Sequence, residues 1–208
     1  DGFYHSSRRV EDRLILVLNQ NVNNWSFNDV RSGEDLLPRF KDTGRPDEEM
    51  VGCSDIRYFP GHAQPSYLIA ASIPLDDPEG IIDREVMLGQ SQNIYVSKTH
   101  LYVATNQVNY ERYTDWDWKR DVTRTLVFKF DLEKGLSFLA RGSVPGTILN
   151  QFSMDEYQNH FRIATTVRDD GSSPSRNNVY VLNKAMVTIG DLENLASGER
   201  IYSTRFMG

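Results

Sequence analysis

His100-Leu-Tyr-Val-Ala-Thr105 and His160-Phe-Arg-Ile-Ala-Thr165 are two copies of one phrase, His-φ-x-φ-Ala-Thr, set 60 residues apart. The first copy is followed by Leu126-Val-Phe-Lys-Phe-Asp131 and the second by Val179-Tyr-Val-Leu-Asn183. Past a tight turn, each continues into an apolar run that contains a glycine, Phe138-Leu-Ala-Arg-Gly142-Ser-Val144 and Val187-Thr-Ile-Gly190-Asp-Leu192. Three segments therefore recur in the same order. Upstream, Tyr67-Leu-Ile-Ala-Ala-Ser-Ile73 and Ile82-Asp-Arg-Glu-Val-Met-Leu88 resemble the second and third members, and Val10 to Leu18 resembles the first.

The recurring segments are short, rich in Val, Ile, Tyr, Phe and Thr, and separated by turn residues such as Glu133-Lys134-Gly135 and Asn183-Lys184, which is the signature of strands. Asn93 to Ser97 and Arg200 to Met207 read as strands on the same grounds. Helix signals are weak, and the best window, Ser32 to Phe40, carries Gly33 and Pro38 and holds a turn or two at most. The chain is therefore all-β. A unit of antiparallel strands repeating every 50 to 60 residues or so is what a propeller blade looks like, because each small sheet must stack its apolar faces on its neighbours. A β-sandwich has no reason to repeat the phrase. The reading is a partial β-propeller of about three to four blades, four being the usual minimum for closure. Ala104 and Ala164 are expected where innermost strands crowd about a channel. The chain is taken as one domain over 1–208, a fragment of a longer protein, with residues 20–51 as a polar insertion or loop.

Composition narrows the function. The chain has 23 basic and 29 acidic side chains, a net charge of −6 and a pI near 5.2, with no long Lys/Arg block. That disfavours nucleic acid, whose affinity rests on neutralising many phosphates. No apolar run approaches the roughly 20 residues of a membrane-spanning helix. Cys53 is the single cysteine, so the fold rests on packing without an internal disulfide, and a buried apolar role is expected for it.

Leu149 to Tyr157 with Phe161 to Thr166, then Asn178 to Leu182 and Glu199 to Gly208, resemble the secreted bacterial and archaeal proteins with a C-terminal β-propeller distantly related to WD-type repeats. Tyr67 to Leu75 and Asn93 to Thr105 are similar to the same family. The resemblance implies a propeller fold and an extracellular or cell-surface location. It implies no catalytic residues.

Tyr110-Glu-Arg-Tyr-Thr-Asp-Trp-Asp-Trp-Lys-Arg-Asp121 is the most unusual stretch, and it joins two strands of one blade. If it is extended, Trp116 and Trp118 share one face and Asp115 and Asp117 the other. Together with Tyr113, these five residues form a candidate platform that stacks a sugar or a peptide proline on indoles, with carboxylates as acceptors. The alternative is that the indoles cap the blade edge or pack against Gln20 to Val51. In Asn150 to Tyr157, Ser153 and Asp155 are expected to close a turn, with Phe152 and Tyr157 packing between blades. Asp155 and Glu156, adjacent on an extended chain, point to opposite faces and make a poor carboxylate pair. The histidines His5, His62, His100 and His160 show no metal-ligand spacing, while His100 and His160 occupy equivalent repeat positions with a shared role at a strand start. Nucleophile and phosphate-loop motifs are absent.

These readings converge on a non-catalytic extracytoplasmic module that binds a protein or glycan, with no metal and no cofactor, and with self-association through open strand edges. The alternative is a polysaccharide- or peptide-active hydrolase or lyase using loop carboxylates such as Asp115, Asp117 or Asp155. A purely architectural module is the third reading.

Overall fold

A computed structural model of the chain describes residues 2–22, 33–41, 48–59, 65–77, 79–107, 110–114, 117–120, 123–168 and 174–207, of which 110–114 and 117–120 are described for their backbone alone. Among these residues there is no α-helix; the Ser32 to Phe40 window contributes one 3-10 turn, Gly33–Leu36. The chain divides into two compact units, residues 1–91 with 135–137, and residues 92–134 with 138–208.

The first unit is built on a meander of β1 (Phe3–Val10), β2 (Arg13–Asn21), β6 (Ser66–Pro74) and β7 (Asp83–Leu88). Between β2 and β6 lie the hairpin of β3 (Arg39–Lys41) with β4 (Glu48–Met50) and the short β5 (Ile56–Arg57). Unlike every other pair in its sheet, β5 runs parallel to its neighbour β7. Phe40, Val51 and Ile56 from this connection pack on Tyr67, Ile69 and Val86, so the insertion folds back over one face of its own sheet. The sheet edge at β7 is therefore covered, and the strand that covers it lies just past the 20–51 stretch. Cys53 opens a 3-10 turn here and is exposed, contrary to its expected burial, because this polar stretch gives it no apolar face.

The second unit holds two four-stranded meanders. One consists of β8 (Asn93–Val96), β9 (His100–Gln107), β12 (Arg124–Asp131) and β13 (Ser137–Pro145), with the β10 (Tyr110–Thr114) and β11 (Asp117–Arg120) hairpin inserted between β9 and β12. The other runs through β14 (Met154–Tyr157), β15 (His160–Val167), β16 (Arg176–Leu182) and β17 (Thr188–Leu195). The repeat read in the sequence maps onto this directly: the His-φ-x-φ-Ala-Thr phrases are β9 and β15, the second members β12 and β16, the third β13 and β17.

A first strand precedes each phrase. For β1 and β14 the sequence reading found no strand, because both are edge strands with mostly exposed or half-exposed side chains. Ala104 and Ala164 therefore sit on the second strand of their sheets, whereas the innermost strand of a blade is an edge strand. Both are buried in the body of the unit, Ala104 within its core cluster. Arg200 to Met207 is not a strand, since it forms no backbone ladder with a neighbour. It lies instead against the second meander, where the Ile201 amide donates to Thr166 Oγ1 at 3.4 Å and the Arg162 guanidinium sits 5.2 Å from the Phe206 ring.

The two meanders share a core of Tyr102, Val127 and Val144 against Met154, Phe161, Ile163, Tyr180 and Leu182. Tyr102 stacks on Phe161 with ring centroids 4.4 Å apart, a contact of the kind that adds about 0.5–1.5 kcal/mol beyond its buried area. Close approach is made possible by Gly142, where a Cβ would lie 2.4 Å from the Met186 carbonyl oxygen. The link from β13 to the next meander is clamped on both sides: Thr125 Oγ1 donates to the Gly146 carbonyl and Thr165 Oγ1 to the Pro145 carbonyl, each at 2.7 Å. Thr165 is the last residue of the second phrase, which gives that threonine a structural reason.

Candidate functional site

In all three meanders the connection between the second and third strands is the elongated one: residues 22–65, 108–123 and 168–175. Of the five residues singled out in the sequence, Tyr113, Asp117 and Trp118 lie on the β10–β11 hairpin, while Asp115 and Trp116 lie outside the described residues. Trp118 is paired with Arg112 and Asp117 with Thr114, and the register slips between Arg112 and Thr114, at Tyr113. The two strands pair antiparallel.

The hairpin leaves β9 after Gln107 and rejoins β12 at Arg124, which is paired with Gln107. At this same end of the second unit a cleft of about 310 Å³ opens between the two meanders. Arg124 and Pro145 line one side; Val167, Arg176, Asn178, Tyr180, Glu193 and Asn194 line the other. Strand termini build it: Arg124 and Arg176 are the first residues of β12 and β16, Pro145 and Val167 the last of β13 and β15.

Each polar group is held from behind. Arg124 donates from Nε to Ser143 Oγ and from Nη2 to the Ser143 carbonyl, both at 3.1 Å. Arg176 donates from Nη1 to Asn194 Oδ1 at 3.3 Å, and its Nε is buried without a partner. The Asn194 backbone N–H, on a residue with φ of 60°, donates to Asn178 Oδ1 at 2.9 Å. Tyr180 donates its hydroxyl to Glu193 Oε1 at 2.7 Å. Burial, and then that bonded carboxylate, push the Tyr180 phenol well above its ordinary pKa, so it stays a neutral donor. Two guanidiniums face one carboxylate, a positive site on a chain of net charge −6. The sequence reading missed it, although a signal was there: aligning Asp131 with Asn183 in the repeat places Arg124 on Arg176.

A second polar cluster lies within the core. His100 Nδ1 meets Glu156 Oε1 at 2.9 Å, with both side chains nearly buried. Tyr95, Tyr102 and Lys129 are cross-strand neighbours in a row beside it. The Tyr102 hydroxyl is buried near Glu156 but outside hydrogen-bond geometry, and burial, reinforced by that carboxylate, holds its pKa far up. Burial pushes the Lys129 ammonium down. This cluster is closed to ligand, and its link between meanders is the His100–Glu156 contact. His160 starts its strand as His100 does, but it is exposed and, among the described residues, its ring meets the Gln158 carbonyl, so the equivalent positions do not share a partner.

Asp155 pairs with Arg162, so the two adjacent carboxylates are engaged by different partners on different strands. The turn expected at Ser153 and Asp155 is closed instead by Asn150, whose Oδ1 accepts from the Phe152 N–H at 2.9 Å. Phe152 and Tyr157 are exposed rather than packed between sheets, since the 3-10 turn and the strand edge aim them outward. No group of three or more His, Cys, Asp or Glu suited to a metal ion occurs among the described residues.

Residues 1–208 match the family described as a beta propeller domain. The chain belongs to that family. This propeller domain is 37% identical over 113 residues to an uncharacterized protein of Methanocaldococcus jannaschii, covering 53% of the chain and 18% of that protein. It is 38% identical over 101 residues to an uncharacterized protein of Archaeoglobus fulgidus, covering 48% of the chain and 15% of that protein. The domain thus spans less than a fifth of the length of these curated relatives. No solved structure matches it. No helix among the described residues is long and apolar enough to cross a membrane.

Proposed function

We propose that the propeller domain is a non-catalytic binding module, working outside the cytoplasm, that takes a glycan or protein on the end of its sheets where the second-to-third-strand connections emerge. One observation carries this reading: within each meander the longest connection is the one between the second and third strands, and in the second unit that end opens into a polar cleft. Strands held by packing keep the cleft groups in place, so a ligand meets a site with little left to order. Glu193 alone supplies a carboxylate to the cleft among the described residues, and Asp155 is tied to Arg162, so nothing there favours the hydrolase reading.

The test is a glycan and peptide array probed with the chain and with a variant in which residues 108–123 are replaced by a short turn. Signals lost or strongly reduced in the variant support binding at this end. Unchanged signals place the ligand elsewhere, and a silent array contradicts the binding role.

A further inference from the structure

We infer that the Arg124/Arg176 cleft is a binding site for a uronic acid unit, a sugar ring carrying a carboxylate beside its hydroxyls. This inference rests on the binding-module reading and names the ligand class.

Charge comes first. Arg124 engages Ser143 through Nε and Nη2, which leaves Nη1; Arg176 engages Asn194 through Nη1, which leaves Nη2. The two guanidiniums approach from different meanders and carry no ion pair among the described residues. A carboxylate between them makes charge-assisted hydrogen bonds, about twice as strong as neutral ones. Glu193 is occupied on one oxygen by Tyr180, which leaves Oε2 to accept a hydroxyl.

Hydroxyl recognition comes next. The side-chain amides of Asn178 and Asn194 use their oxygens on the Asn194 N–H and on Arg176, so their NH₂ groups remain as donors among the described residues. Donors for a carboxylate, donors for hydroxyl oxygens and an acceptor for a hydroxyl hydrogen therefore line one cavity. At about 310 Å³ it stands at the small end of ligand sites. A peptide needs either a strand edge or apolar side-chain pockets, and among the described residues the cleft offers Pro145, Val167 and Tyr180 against five polar or charged lining residues. The repeat supports a built site: both arginines hold the same place in successive meanders, each is fixed by a different neighbour, and both line the one cleft.

The experiment is calorimetric titration of the chain with glucuronate, glucose and acetate at low salt. The expected result is that glucuronate binds, while glucose, lacking the carboxylate, and acetate, lacking the hydroxyls, each bind about tenfold more weakly or not at all. Arg124→Gln and Arg176→Gln each reduce glucuronate affinity about tenfold and leave the far-ultraviolet circular dichroism unchanged. A uronic acid trisaccharide that binds more tightly than the monomer marks a glycan as the source, and equal affinity marks the free sugar; both agree with the inference. Glucose binding as well as glucuronate overturns it, as does retention of affinity in both variants. An array in which the chain binds neutral glycans or peptides through residues 108–123, with neither arginine involved, keeps the binding role and ends the uronate assignment.

Discussion

Tyr102 shows how one residue carries two opposed effects. Its ring stacks on Phe161 and has no solvent exposure, while its hydroxyl is buried without a hydrogen-bond partner. A buried unpaired hydroxyl costs about 1–3 kcal/mol, and removing a large aromatic from a core costs about 3–5 kcal/mol. Tyr102→Phe keeps the ring and removes the unpaired group. Thermal or urea unfolding is expected to show Tyr102→Phe as stable as the parent or more so, by up to about 1 kcal/mol. Tyr102→Ala is expected to lose about 3–5 kcal/mol. A Tyr102→Phe variant that loses as much as Tyr102→Ala contradicts the packing account. None of this was legible from residue identity, since a tyrosine in an alternating strand gives no hint of whether its hydroxyl finds a partner.

At the scale of elements, legibility followed burial. The second and third strands of the meanders were readable because their apolar residues are pressed between layers, whereas β17 was readable from its composition although every residue of it is exposed. β1 and β14 were not, because Ser6-Ser7-Arg8-Arg9 and Asp155-Glu156 are polar runs on edge strands and look like turn sequence. Arg200 to Met207 has a strand's composition yet forms no ladder, so composition misled in the other direction. The repeat also aligned Gly142 with Gly190, and the structure separates them. A Cβ on Gly142 meets the Met186 carbonyl oxygen at 2.4 Å, whereas Gly190 has nothing within 4 Å. Gly142→Ala is therefore expected to destabilise by about 1–3 kcal/mol, as overpacking does. Gly190→Ala is expected to be neutral or slightly stabilising, because glycine weakens a strand interior. Denaturation midpoints that fall equally in the two variants contradict this.

For the whole molecule, the all-β propeller class followed from repetition, because a blade can bury its faces only against similar blades. The candidate site did not. The sequence pointed to Tyr113, Asp115, Trp116, Asp117 and Trp118, a compositional anomaly within one connection. The cleft is built from Arg124, Arg176, Asn178 and Glu193, which come from three strands, and no local spacing joins them. What connects the two is the end of the sheets from which both arise. The most direct test is hydrogen–deuterium exchange of the chain with and without the strongest ligand from the array. Slowed exchange is predicted at residues 123–125, 145–147, 166–167, 176–180 and 193–195, with the turns at 97–100, 132–135, 158–160 and 183–187 unchanged. Protection confined to those turns, at the opposite end of the sheets, would contradict the account.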